Sequence, residues 1–120
     1  MKNDVLVAKI CKLPEEFERV ENKSFYQLLK ETGVSGNKAI ISIENIKNYL
    51  KNNVDLVETW LLYSMNKRTD EGWYFKEGNK RTYVVGYLLK NGSSKDESKY
   101  ADKIQACASF IHNELISMSK

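Results

Sequence analysis

The clearest pattern along the chain is an apolar stripe near its C-terminus. From about Asp96 onward, apolar side chains recur at Tyr100, Ile104, Cys107, Ala108, Ile111, Leu115 and Met118. The opposite face carries mostly polar side chains, among them Ser98 and Asp102. This spacing is the period of an amphipathic helix, so a C-terminal helix with one buried face is predicted.

Capping signals predict two helices in the N-terminal part of the chain. Ser24 followed by Gln27 has the spacing of a capping box, and Gly33 supplies a stop signal. Ser42 is the predicted N-cap of the second helix, which extends to Leu50.

The segment before these helices carries mixed signals. Residues 5–10 are apolar and β-leaning, which is compatible with a first strand. Pro14 suits a first helical position, and the two glutamates after it favour a helix N-terminus.

Residues 57–90 predict three antiparallel strands rich in Tyr, Val, Trp and Phe. Residues 69–72 have the chemistry of a four-residue hairpin loop. Gly78-Asn79 is the type of pair found in a two-residue hairpin loop.

The first of these segments also fits a helix. That helix would place Val54, Val57, Leu61 and Met65 on one stripe, and Leu56, Trp60 and Tyr63 on its opposite side. We prefer the strand because hairpin chemistry follows it. The chain of 120 residues is then predicted to be one α+β domain spanning residues 1–120. It has two N-terminal helices, an antiparallel three-stranded meander, and a C-terminal amphipathic helix packed on the sheet.

Strand alternation sorts the predicted sheet into two faces, with Arg68 paired to Trp73 and Glu77 paired to Lys80. One face receives Trp60, Leu62, Trp73, Phe75, Val84 and Leu88, the predicted floor for the C-terminal helix. The other receives four tyrosines and three cations, which form the predicted partner-binding surface: Tyr63, Lys67, Tyr74, Lys76, Arg81, Tyr83 and Tyr87.

Three interpretations of this tyrosine-rich surface compete. Tyrosine and arginine are enriched in protein interfaces, which favours a protein partner. Aromatic rings among cations also suit single-stranded nucleic acid, although three cations are few for that role. The same pattern is compatible with a solvated sheet face, because tyrosine is a good strand residue and charges protect sheet edges.

Composition adds little specific chemistry. The net charge is +3, too small a bias to indicate nucleic-acid binding by itself. One histidine, His112, and two distant cysteines, Cys11 and Cys107, offer no metal-ligand spacing, and no phosphate-binding glycine loop occurs. We therefore predict no metal, no cofactor and no enzymatic activity; an enzyme acting through Asp or Glu residues would need groups that the sequence does not single out.

The N-terminal apolar stretch, residues 5–8, is too short for a signal peptide, and no apolar run reaches the length of a membrane span. These features predict a cytoplasmic protein with free thiols and no membrane association.

Residues 64–75 (SMNKRTDEGWYF) after Trp60, and residues 83–87 (YVVGY), resemble small bacterial immunity proteins. Those proteins neutralise the toxin domains of contact-dependent growth inhibition and related polymorphic toxin systems. Residues 106–115 (ACASFIHNEL) are similar in character to their closing helices. The resemblance implies a non-catalytic inhibitor that occludes a toxin domain. Because this chain is slightly basic, its toxin partner is expected to present an acidic or neutral surface.

Overall fold

The computed structural model describes residues 2–19, 23–33, 42–66 and 71–118. In this part of the chain the elements are α1 (Lys2–Cys11), α2 (Leu13–Arg19), α3 (Phe25–Glu31), α4 (Ile43–Lys51), α5 (Asp55–Asn66), β1 (Gly72–Glu77), β2 (Tyr83–Leu88), β3 (Ser94–Tyr100) and α6 (Lys103–Met118). The α+β class, the three-stranded antiparallel sheet and the C-terminal helix packed on it are confirmed.

The described N-terminal part contains more helices than the predicted two. Residues 5–10 lie in α1 rather than in a strand. Leu6, Val7 and Ile10 are buried together because their spacing places them on one side of a helix.

The predicted helix caps at Ser24 and Ser42 are confirmed. The Ser24 hydroxyl accepts a hydrogen bond from the Gln27 backbone N–H at 3.1 Å. The Ser42 hydroxyl accepts from the Asn45 N–H at 3.1 Å. Each bond satisfies a donor that the first turn of a helix leaves free.

The segment predicted as the first strand is helix α5, so that prediction is wrong. Val57, Trp60 and Leu61 are buried at helical spacing, and Asp55 and Glu58 place negative charge in the first turn, where it is favourable. The pairing predicted for Arg68, and most of the hairpin loop predicted at residues 69–72, fall outside the described residues.

The third strand is β3, in a segment predicted as loop and helix start. Its residues before Tyr100 are polar and exposed, so they carry no alternating apolar signal. Helix α6 begins later than predicted, at Lys103, with the Asp102 carboxylate accepting from the Ile104 N–H at 2.8 Å.

The strands follow the order β1-β2-β3, each antiparallel to the next. Helix α6 packs on one side of the sheet, where the Phe110 ring stacks on Phe75 with centroids 5.8 Å apart. Helix α5 lies along the outer edge of β1, and its Ser64 hydroxyl accepts a hydrogen bond from the Phe75 N–H at 2.7 Å. That bond satisfies an edge donor that β2 does not reach.

Most of the buried apolar side chains form one cluster, with Trp60, Phe75 and Phe110 among its largest members, while Val84 is buried outside it. The Trp60 indole N–H donates to the Cys11 carbonyl at 2.9 Å and so ties α5 to α1. Among the described helices, none combines the length and the apolar character that crossing a bilayer requires.

Candidate functional site

The register between β1 and β2 decides which side chains share a face. Glu77 pairs with Tyr83, not with Lys80, because five residues, Gly78 to Thr82, form the turn instead of two. The three additional residues are an odd number, so every β2 side chain lies on the face opposite to the predicted one.

The structure separates the seven residues predicted to bind a partner. Tyr74 and Lys76 lie on the face away from α6, Tyr83 and Tyr87 on the face toward it, Arg81 in the turn and Tyr63 in α5, while Lys67 lies outside the described residues. The prediction that they form one surface is therefore wrong. Their role in binding a partner stays a prediction.

The two tyrosines of β2 belong to the face that α6 covers. Tyr83 packs against the core, with its ring centroid 6.4 Å from that of Phe75. Tyr87 meets Trp73 edge-on at 5.4 Å. Loss of hydration, followed by the charge and hydrogen bond of Glu71, raises the pKa of Tyr87.

Tyr63 is an internal residue of the helical layer. Its ring stacks on Phe25 at 4.5 Å, and its hydroxyl donates to the Glu114 carboxylate at 2.8 Å. Burial, reinforced by the neighbouring carboxylate, raises the pKa of Tyr63 well above its ordinary value. A ring held in this way packs the core and does not offer a contact surface.

We call the side of the sheet away from α6 the open face. Alternation and register place on it Tyr74, Lys76, Val84, Gly86, Leu88, Glu97 and Lys99. The helices in extensive contact with the sheet are α5, at the β1 edge, and α6, on the other side. Lys76, Glu97 and Lys99 are exposed, and Tyr74 is half-buried.

Tyr74 lies across the sheet over Gly86 of the neighbouring strand. A Cβ at Gly86 would sit 2.5 Å from the Tyr74 hydroxyl and 2.7 Å from the adjoining ring carbon, so only glycine leaves room for the ring. The hydroxyl donates to the Glu97 carboxylate on β3 at 2.6 Å. The hydroxyl end of the ring is therefore held on the open face, over Gly86 and against the Glu97 carboxylate.

Two lysines share the open face with this ring. Lys76 and Lys99 both pair with Val84, one from each neighbouring strand, which places their Cα atoms about 10 Å apart. The Lys76 ammonium lies 5.5 Å from the Tyr74 ring centroid. Within the described residues, neither lysine belongs to an ion pair.

The turn at this end of the sheet carries two further cations in a left-handed backbone conformation. Lys80 and Arg81 have φ of 53° and 62°, and the Thr82 N–H donates to the Asn79 carbonyl at 3.1 Å. This is the geometry of a type I′ turn, whose central positions favour Asn and Gly. Lysine and arginine there cost stability, since a left-handed residue other than glycine is disfavoured by about 1–2 kcal/mol.

Sequence reasoning missed Lys80, Gly86, Glu97 and Lys99 as members of this site. Asn91-Gly92 after β2 is a strong hairpin signal that would have indicated β3, and Gly92 does adopt φ 89°. Gly86 within a strand is the usual sign of a close approach by a neighbouring group.

Other chemistry in the described residues is limited. Both cysteines are free and buried, and burial raises the pKa of Cys11 to about 12 and that of Cys107 well above its ordinary value. Thiols held in the protonated form are poor nucleophiles. No group of three or more His, Cys, Asp or Glu side chains suited to a metal ion occurs in the described ranges.

A cavity of about 470 Å³ lies between α1, α2 and α3. Ala8, Leu13 and Leu28 give it an apolar lining, and Lys9, Lys12, Glu16 and Glu31 supply charges of both signs. This balance selects neither an anionic nor a cationic ligand, so the open face is the better-defined site.

Comparison with known proteins gives one informative relationship. No protein-family model and no solved structure matches the chain. The chain is 32% identical over 88 residues to "Uncharacterized protein 102" of Sulfolobus islandicus rod-shaped virus 1, an alignment that covers 68% of this chain and 86% of the relative. The chain therefore belongs to the same family as this viral protein.

Proposed function

We propose that this protein is a non-catalytic, cytoplasmic binding protein that holds an anionic macromolecule against the open face of its sheet. Neither α5 nor α6 covers this face. It is cationic at one end, and the Tyr74 ring on it is held by a hydrogen bond to Glu97. Rigid sheet residues position these groups before a partner arrives, which lowers the entropic cost of binding.

The observation that carries this proposal is the turn at Lys80 and Arg81. Asn and Gly would satisfy its backbone better, yet the chain places two cations there, beside Lys76 and Lys99. Local strain of this kind is concentrated at functional sites. The position of these cations is explained if their charge contributes to binding an anion.

The test replaces the turn by its preferred chemistry, Lys80→Asn with Arg81→Gly. We expect the free energy of unfolding to rise by about 1 kcal/mol, because both residues tolerate the left-handed region. Elution from immobilised heparin, a linear polyanion, should at the same time require less salt than the wild-type protein requires.

The matched control is Lys47→Ala with Lys51→Ala, which removes the same charge from helix α4. It should leave the elution salt closer to the wild-type value. Equal shifts for both double variants, or no retention of the wild-type protein, would remove the open face from consideration.

An acidic protein surface is the second candidate partner. The immunity-protein resemblance predicts such a partner, and the cationic turn beside the open face supports it. A photocrosslinking residue in place of Lys76 should then form crosslinked products with molecules from lysate. Nuclease should leave the bound partner intact, and protease should degrade it. The same residue in place of Lys47 should not. The viral relative's name states no activity, so the family relationship does not choose between partners.

A further inference from the structure

We propose, on the basis of the function proposed above, that the occupant of the open face is a single-stranded nucleic acid with one base stacked on the Tyr74 ring. Single strands present unstacked bases and a regularly charged backbone. The open face offers a partner for each: an aromatic plane and a set of cations along one end of the sheet.

The aromatic plane is preorganised. Gly86 lets the Tyr74 ring lie against the sheet, and the bond to Glu97 fixes its hydroxyl end. The ring is thus held over Gly86, with the Lys76 ammonium 5.5 Å from its centroid. A ring fixed in this orientation is suited to stacking because little side-chain entropy remains to be lost.

The charges indicate the path of the bound strand across the sheet. Lys76 and Lys99 lie beyond the ring on the side of the cationic turn, whereas Glu97 is at the hydroxyl tip of the ring. A phosphate backbone is attracted to the lysines and repelled by the carboxylate. The strand should therefore pass across the end of the sheet that carries Lys80 and Arg81.

The size of the open face favours a nucleic acid over a protein. Three strands of about six residues cover a plane of roughly 20 by 14 Å, or about 300 Å². A standard protein interface needs about 800 Å² from each partner. A few nucleotides of single strand fit the smaller area.

The experiment measures fluorescence anisotropy with three labelled probes at low salt: a 15-residue oligothymidylate, an abasic strand with the same phosphates, and polyglutamate of similar charge. We expect the wild-type protein to bind the oligothymidylate most tightly. Tyr74→Ala should weaken this binding by about 5- to 150-fold, the range of a lost base–aromatic stack, with little change for the abasic strand.

Two further variants guard against a folding artefact. Tyr74→Phe keeps the ring and should bind the oligothymidylate nearly as the wild-type protein does. Tyr74→Leu keeps apolar cover over Gly86 without a ring and should bind as weakly as Tyr74→Ala. Each variant is first checked to be fully folded at the temperature of the binding assay.

The outcomes separate this proposal from the preceding one. Equal affinity for the abasic and base-containing strands overturns base stacking and leaves polyanion binding standing. Binding of polyglutamate as tight as that of oligothymidylate also overturns it, and favours an acidic protein. No binding of any probe overturns both proposals.

Discussion

The two faces of the sheet are made from alternating residues of the same strands, yet they have opposite characters. On the covered face, Phe75 and Val85 are sealed beneath the helical layer, at 0% and 2% exposure. On the open face, the neighbouring Tyr74 donates a hydrogen bond to Glu97 of β3, and the exposed Lys76 lies 5.5 Å from the Tyr74 ring centroid. The comparison shows that one side of these strands packs the core, while the other side is left to the recognition role proposed above.

Gly86 shows how the open face is nevertheless structured. It is buried although no described helix covers its side of the sheet, because the Tyr74 ring lies over it. The open face thus has a thin packed layer of its own, in which the Tyr74 ring covers Gly86 and Lys76 stays exposed.

Truncating a side chain on the covered face should produce the largest change in the free energy of unfolding. Phe75→Ala removes a fully buried ring that stacks on Phe110, so we expect the free energy of unfolding to fall by about 3–5 kcal/mol. Lys76→Ala, one residue along the strand, should change it by no more than about 0.5 kcal/mol. Chemical denaturation of both variants measures the difference, and similar losses would contradict the division between faces.

Local signals in the sequence predicted the helical parts best. The caps at Ser24 and Ser42, and the apolar stripe of α6, depend on residues within one or two turns. The hairpin chemistry after α5 favours a strand for this segment, and apolar residues on both sides of the helix weaken the helical period that would have corrected that prediction.

The candidate site was predictable only in part, since it depends on non-local pairing. Tyr74 and Lys76 do lie on an exposed face, as expected. Tyr83 and Tyr87 do not, because the turn after Glu77 is longer than its Gly-Asn sequence suggests and reverses the alternation of β2. The polar β3, which supplies Glu97 and Lys99, carries no apolar alternation to reveal it.

The next largest change in stability is expected at Gly86, beneath the Tyr74 ring on the open face. Gly86→Ala introduces a Cβ only 2.5 Å from the Tyr74 hydroxyl, so the hydroxyl end of the ring, which bonds to Glu97, must move. Because this displacement crowds the ring and strains the hydrogen bond, we expect a loss of about 1–3 kcal/mol in the free energy of unfolding.

A double-mutant cycle isolates the cause of that loss. In a Tyr74→Ala background, Gly86→Ala should cost nothing or stabilise the strand slightly, because alanine loses less backbone entropy than glycine. An unchanged cost in that background would mean that Gly86 is needed for a reason other than the ring.

The smallest expected effect concerns the Tyr74 hydroxyl and its dependence on pH. Tyr74→Phe removes one hydrogen bond to a charged group at a half-exposed site, so we expect a loss of about 1 kcal/mol in the free energy of unfolding at neutral pH.

Loss of hydration, followed by the bond to Glu97, raises the pKa of Tyr74 above its ordinary value of 10.0. The folded state therefore prefers the neutral phenol, and this stabilisation is complete below pH 10 and is lost as the pH rises through the raised value. The stability difference between the wild-type protein and Tyr74→Phe should thus shrink in alkaline solution. Tyr63 is present in both proteins, so its own raised pKa cancels in the comparison. A stability difference that stays constant from pH 8 to pH 11 would show that the pKa of Tyr74 is the same in the folded and unfolded chains. The open face would then not stabilise the neutral hydroxyl.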